Sequence, residues 1–310
     1  MYFHVQKLIN EIVPDEPDPA AANALQEGLG GQFGEMRTMM QYLFQTFNFR
    51  GDATPYRDLI HGVGIEEISH VELIATTIAQ LLDGSPRYKG KTGDVPGAGG
   101  AQPLNMATGS GKLQNIHHFL VGAQGALPVD AAGNPWSGSY VYNSGNLTLD
   151  LLYNLMLEST GRLQKCRIYQ MTDNKTARAT IAYLIARDEA HERVFAKALQ
   201  TLGVDWGRIL PIPNFDASQY PEVKKLQDQG ANLYQHHWRL DGSEMGKIYN
   251  GDSPFNDGLK ITTTDTPPEG FPMTMGPERI EEFAPGLTPE LKKMADEMAA
   301  HMEELNKKNK

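Results

Sequence analysis

Apolar residues return at helical spacing in four long stretches of this chain, and the segments between them differ in character. From Asp18-Pro19, an N-cap followed by proline at the first helical position, Leu25, Leu29, Phe33, Met36, Met40, Leu43 and Phe47 recur every three or four residues. The spacing predicts one helix from 18 to about 47. Gly28, Gly30, Gly31 and Gly34 weaken its propensity and mark places where another backbone comes close. Thr54-Pro55 opens a second helix, carrying Leu59, Val63, Ile74, Ile78 and Leu81, and Asp83-Gly84 ends it. A third runs from near Asn146 to about Met171. A fourth follows the capping pair Asp173-Asn174, carries Ile181, Leu184, Phe195, Leu199 and Leu202, and stops before Gly203.

Residues 84–145 are dominated by Gly, Pro, Ala, Asn and Ser, with turn signals at 95–100 and at Asn134-Pro135. A connection of that length is expected to be a crossover, a functional covering or an interface. Residues 203–285 are polar and rich in Pro, Gly, Asp and Asn. Thr288-Pro289-Glu290 then opens a final helix with Leu291, Met294, Met298, Met302 and Leu305 in a narrow stripe. The predicted organisation is an arm at 1–17, a helical bundle at 18–203 that includes the crossover 84–145, and a mostly irregular tail at 204–310.

Charged residues interrupt the apolar faces at related places. Glu35 lies on the first helix, Glu67-x-x-His70 on the second, Glu158 on the third and Asp188-x-x-His191 on the fourth. Residues at i and i+3 share a helix face, so an acid and an imidazole point together into apolar surroundings. Such burial is costly without a partner, and a metal ion is the simplest one. One lone glutamate and one acid-x-x-His segment per helix pair match the arrangement of ferritin-like di-iron and di-manganese bundles. Oxygen ligands with a little nitrogen suit manganese or iron. The remaining acids near these motifs, Glu66, Glu72, Glu189 and Glu192, fall off the inner stripes and are expected in solvent. The pairs His117-His118 and His236-His237 sit in loop-like sequence and are not expected to ligate. Met36, Met39, Met40 and Cys166 read as packing residues.

The net charge of −10 leaves Lys307-Lys308-Asn309-Lys310 as the one basic cluster, so neither nucleic acid nor anionic membrane is an expected partner. A single cysteine excludes an internal disulfide framework and fits a reducing compartment. Residues 1–10 lack the pattern of a secretory signal, and no 18 apolar residues run together. A cytoplasmic protein is expected.

Gly34-Glu35-Met36, Gln41-Tyr42-Leu43-Phe44-Gln45, Glu66-Glu67-Ile68-Ser69-His70-Val71-Glu72 and Asp188-Glu189-Ala190-His191 together resemble the signatures of the non-haem manganese catalases. The resemblance spans roughly residues 1–205 and continues more loosely into the tail. It implies an all-α, ferritin-like four-helix bundle with a long crossover between the second and third helices. It also implies two manganese ions per subunit, held by Glu35, Glu67, His70, Glu158 and His191, with Glu67 bridging. The implied reaction is disproportionation of hydrogen peroxide to water and dioxygen, the metals cycling between Mn(II)₂ and Mn(III)₂, in a closed homohexamer. Tyr42 and Lys165 match outer-sphere residues of the family. Asp188, one methylene shorter than the glutamate of many members, takes a proton-transfer role. Leu157 stands where several relatives have arginine. A family calcium site is not assignable here: Asp58 matches one ligand, but Gly62 stands where another acid is common. The alternatives are a di-iron oxidase or storage protein, or a structural relative of spore-coat type without turnover.

Overall fold

The computed structural model describes residues 7–82, 125–213, 216–237 and 242–265, the strand at 273–274, and residues 293 and 297. Five helices dominate it: α1 (Pro19–Gly30), α2 (Glu35–Thr46), α3 (Thr54–Leu81), α4 (Leu147–Gln170) and α5 (Lys175–Thr201). Local chemistry sets their starts. Asp18 accepts from the backbone N–H groups of Ala20 and Ala21, Asn146 from Leu149 and Asn174 from Ala177. Pro19 and Pro55 stand in the first turns of α1 and α3, where their missing N–H costs nothing. Among the described residues no helix is long and apolar enough to cross a membrane.

The first predicted helix is in fact two. The chain turns at residues 31–34, and a Cβ on Gly34 would lie 2.7 Å from the carbonyl oxygens of Gly28 and Leu29. Apolar periodicity persists through the turn because α1 and α2 both pack inward, so periodicity alone does not show the break. Gly30 has a longer-range role. A Cβ there would fall 2.2 Å from the Val129 carbonyl oxygen, so the end of the long connection lies directly on α1. Gln26 Nε2 secures this contact by donating to the Leu127 and Val129 carbonyls at 2.5 and 2.6 Å. The rest of that connection, His117-His118 and, apart from residues 293 and 297, the predicted C-terminal helix lie outside the described residues.

After α5 come three short helices, α6 (Trp206–Ile209), α7 (Pro221–Asp228) and α8 (Gly246–Tyr249). Strands β2 (Tyr234–His236), β3 (Gly251–Asp252) and β4 (Lys260–Thr264) form a three-stranded sheet in the order β2-β4-β3. Tyr234 pairs with Thr262 in parallel, and Gly251 with Ile261 antiparallel. Strand β1 (Lys7–Leu8) pairs antiparallel with β5 (Met273–Thr274), which ties arm to tail. The polar sequence after Gly203 gave little sign of these short elements.

Two apolar clusters make the core. One gathers Leu25, Leu29, Ile74, Ile78, Ile181 and Leu184; the other gathers Leu59, Val63, Leu151, Leu155, Phe195 and Leu199. Along α3, α4 and α5 the residues between the clusters are the charged ones: 66–70, 158–165 and 187–192. The bundle is therefore apolar at both ends with a polar layer between.

Candidate metal centre

The polar layer brings together all eight residues singled out from the sequence. Glu35 is the first residue of α2, after the Gly34 cap; Tyr42 lies two turns on. Helix α3 supplies Glu67 and His70, α4 supplies Glu158 and Lys165, and α5 supplies Asp188 and His191. None is more than 1% exposed. Two groups of possible ligands emerge, Glu35 with Glu67 and His70, and Glu67 with Glu158 and His191, the ligand atoms in each lying within 4.8 Å of one another. Glu67 belongs to both.

The contacts inside the cluster are close, and only the His70 Nδ1–Glu67 Oε2 pair is aligned as a hydrogen bond. His70 Nδ1 is 3.0 Å from Glu67 Oε2 and 3.6 Å from Glu35 Oε2. His191 Nδ1 is 2.9 Å from Glu67 Oε1 and 3.6 Å from Glu158 Oε1. Yet both oxygens of Glu35, Glu67 Oε1 and both ring nitrogens of His191 lack a properly directed hydrogen bond. Buried polar atoms normally find partners. Apart from the His70 Nδ1–Glu67 Oε2 bond, these side chains crowd together with atoms left unpaired and aimed at common points, as ligands around a cation are. With neutral imidazoles, the four buried carboxylates of Glu35, Glu67, Glu158 and Asp188 face the single ammonium of Lys165, which leaves three negative charges uncompensated. Donor chemistry, burial and charge all fit a pair of divalent cations.

Without such cations, protons take their place. Burial alone would lower the His70 imidazole, but Glu67, Glu35 and Glu66 outweigh it and hold it well above its usual range. His191 is raised in the same way by Glu66 and Glu158. Glu67 is opposed by burial, yet His70 and His191 draw it well below the ordinary carboxylate range. Asp188 goes the other way: burial and the charges of Glu35 and Glu158 push it up, against the pull of Lys165. Lys165 Nζ lies 2.7 Å from both Asp188 Oδ2 and Glu35 Oε1, and these acids keep it charged despite its burial. Burial and the charges of Glu158 and Glu67 keep the Tyr42 phenol protonated; it donates to Glu158 Oε1 at 2.5 Å.

Three expectations of solvent exposure fail. Glu66 is 8% exposed, Glu189 7% and Glu192 1%; Glu72 is half-buried. A single inner stripe describes a helix covered on one side, whereas α5 is also covered by the segment after Gly203. Glu189 accepts from Gln227 and Asn232 of that segment, and Glu66 binds Arg187. Burial pushes the Glu192 carboxyl up to about 7, Arg162 pulling against it. Sequence reasoning also passed over Arg187, which meets Glu66, and Thr38, whose hydroxyl donates to Glu67 Oε2 at 3.1 Å. Their signal was weak: an arginine four residues before His191, and a threonine three after Glu35.

Neither remaining candidate reaches the cluster. Asp58 is taken up by the Arg57 guanidinium and the Glu244 backbone N–H, and belongs to no group of three ligating side chains among the described residues. His236 stacks edge-on against Tyr234. A cavity of about 720 Å³ opens beside Arg162, Glu189, Glu192 and Arg193, with Trp206 and Phe255 in its wall; none of the eight residues lines it.

Comparison with known proteins places this geometry in context. A family model described as manganese containing catalase matches residues 1–304. The chain is 41% identical over 211 residues to a manganese catalase of Bacillus subtilis, covering 68% of this chain and 74% of that one. It is 36% identical over 269 residues to a manganese catalase of Lactiplantibacillus plantarum, covering 86% and 92%. In structure it is similar to KatB, a manganese catalase from Anabaena, with a TM-score of 0.55 at 21% identity over 86% of this chain and all of that one. At that identity the likeness speaks for the ferritin-like fold.

Proposed function

This chain belongs to the manganese-containing catalase family, and from that premise we infer that the buried cluster of α2–α5 is its dimanganese site. The activity is disproportionation of two hydrogen peroxide molecules to two waters and dioxygen. When bound, the manganese pair supplies the two-electron chemistry, alternating between Mn(II)₂ and Mn(III)₂. Glu35 and His70 would hold one ion, Glu158 and His191 the other, and Glu67 both. One observation supports this assignment: two ligand groups share Glu67, and apart from the His70 Nδ1–Glu67 Oε2 bond their ligand atoms crowd together without aligned bonds to one another.

The surrounding residues manage protons. Asp188, raised by burial and neighbouring acids, accepts a proton at a carboxylate oxygen and returns it within the cycle. Lys165 orients that carboxylate through both of its oxygens, at 2.7 and 2.9 Å. Gly161 leaves room beside them: a Cβ there would lie 3.6 Å from Lys165 Nζ and 3.8 Å from Asp188 Oδ2. Tyr42 fixes the rotamer of Glu158. The lining of the layer, closed above and below by the two apolar clusters, excludes bulk water from the cluster.

We further propose a closed homohexamer in the cytoplasm. Leu149, Met156 and Leu163, 50%, 39% and 39% exposed, repeat every seven residues on α4 and suit a subunit contact; a lone, buried cysteine suits a reducing compartment. Light scattering tests the assembly. Oxygen evolution from hydrogen peroxide, with metal quantified on the same sample, tests the function. About two manganese ions per chain with haem-free dismutation is the expected result. Full loading without oxygen release would overturn it.

A further inference from the structure

The two imidazoles of the cluster are stacked, with centroids 5.5 Å apart and planes 24° from parallel. Their Nδ1 atoms face the carboxylates of Glu35, Glu67 and Glu158. Their Nε2 atoms both face Glu66. Glu66 Oε1 lies 3.4 Å from His70 Nε2, and Oε2 lies 3.3 Å from His191 Nε2, close approaches at ion-pair distance that are not aligned as hydrogen bonds. No other carboxylate lies within ion-pair distance of either Nε2 among the described residues.

Glu66 is itself held by α5 and by the segment after the bundle. Arg187 clamps it in a fork, Nε on Oε1 at 2.5 Å and Nη2 on Oε2 at 2.9 Å. The remaining arm of that guanidinium, Nη1, donates to the Ala231 carbonyl and to the Tyr234 carbonyl at 2.9 Å. The Gln235 amide completes the frame. Oriented to satisfy both neighbours, it donates to Glu66 Oε2 at 3.2 Å and accepts from Arg187 Nη2 at 2.9 Å. The Arg187 charge also packs over the Tyr234 ring at 5.0 Å. Glu66 and Arg187 each precede a histidine of the cluster by four residues, so α3 and α5 present them at matching heights.

We propose that Glu66 is a positioning residue shared by both imidazoles, fixing each as the Nε2–H tautomer with Nδ1 directed at manganese, and that residues 231–235 set it through Arg187. The inference rests on the dimanganese reading above. It gives the segment after the bundle a part in the centre that none of its residues touches. A neutral imidazole carries one N–H, and whichever nitrogen is bonded outward leaves the other to ligate. Because the pair Glu66–Arg187 is neutral overall, it orients the ligands without adding to the charge of the cluster.

The shared carboxylate predicts an asymmetric defect. In Glu66→Gln the amide offers one acceptor oxygen and one NH₂ donor. The oxygen still serves one imidazole; the NH₂ group opposes the N–H of the other and forces its proton to Nδ1. One manganese should then be held about 10–100-fold more weakly, the range seen for lost outer partners of metal ligands, while the other is nearly unchanged. Chelator competition on the whole protein should show two-step release, and electron paramagnetic resonance an isolated six-line Mn(II) signal in place of the coupled pair. Glu189→Gln is the control: an equally buried acid, on the helix that carries Arg187 and His191, held by Arg193 and Asn232 and facing no imidazole. It should keep wild-type release. The inference is overturned if Glu66→Gln keeps both ions at wild-type affinity, or if the two variants lose manganese alike. Should Glu66→Gln not fold, Arg187→Lys keeps the charge but loses the fork, and severalfold faster release from both positions is expected; unchanged release overturns the inference. A wild-type protein that takes up no manganese would instead refute the dimanganese reading itself.

Discussion

Helix α5 bears two buried acidic clusters built on opposite principles. Around Glu189 the protein supplies its own compensation: Arg193 and Asn232 donate to Oε1 at 2.7 and 2.8 Å, and Gln227 to Oε2 at 2.7 Å. One turn on, Arg162 Nη1 donates to Glu192 at 2.8 Å. Around Asp188 and His191, on the inward face of the same turns, acids outnumber cations and several donor atoms have no aligned partner. Residue types and burial are alike; direction differs. The first set is bonded mainly within itself; the ligand atoms of the second converge on common points. Burial of charge therefore does not by itself identify a metal centre. What sets the second cluster apart is that its acids and imidazoles converge as two candidate ligand groups sharing Glu67.

The sharpest way to break this contrast is to remove the shared ligand. Glu67→Gln should abolish loading of both ions and lower kcat/KM by about 10³-fold or more, the loss of several kcal/mol of metal chemistry. A variant that still carries two manganese ions would show that Glu67 does not bridge. The matching change on the other cluster is Glu189→Ala. It removes the acceptor of Arg193 Nη2, Asn232 and Gln227, while Arg193 keeps Asp257 and Arg162 keeps Glu192, and should cost about 1–3 kcal/mol of folding stability, read by chemical denaturation, with the manganese content of the folded fraction unchanged. A lower metal content at intact stability would erase the distinction between the clusters.

Protonation sharpens it further. In the metal-free protein the acids hold His70 and His191 well above their usual range. Such raised groups stabilise the fold at low pH, and that contribution is lost as pH rises through the raised values. Manganese needs the imidazoles neutral, so loading must release protons. Each proton displaced should strengthen apparent affinity about tenfold per pH unit, visible as acidification of a weakly buffered titration; uptake without proton release would contradict it. The smallest effect concerns His236, outside the cluster. Burial, then the Arg187 charge, push its imidazole down to about 4 from 6.5. A depressed group contributes its stability in full above the unfolded value and loses it as pH falls, about 1 kcal/mol by about pH 5.5. His236→Gln should flatten that acid limb in thermal unfolding; an unaltered limb would assign it to other groups.

The sequence by itself determined the helices of the bundle, their caps at Asp18, Asn146 and Asn174, and the placement of Glu35, Tyr42, Glu67, His70, Glu158, Lys165, Asp188 and His191 on their inward faces. These are local matters: a 3.6-residue repeat decides which side chains share a face, and an inward acid is conspicuous in an apolar row. Tertiary structure alone decided the turn at 31–34, the contact of Gly30 with Val129, and the burial of Glu66, Arg187, Glu189 and Glu192. Their surroundings come from other parts of the chain: residues 127–131 lie over α1, and 227–232 and 252–257 over the outer side of α5. Periodicity tells which face of a helix is apolar. Whether the opposite face meets water or protein depends on where a distant segment packs, and no local pattern carries that information.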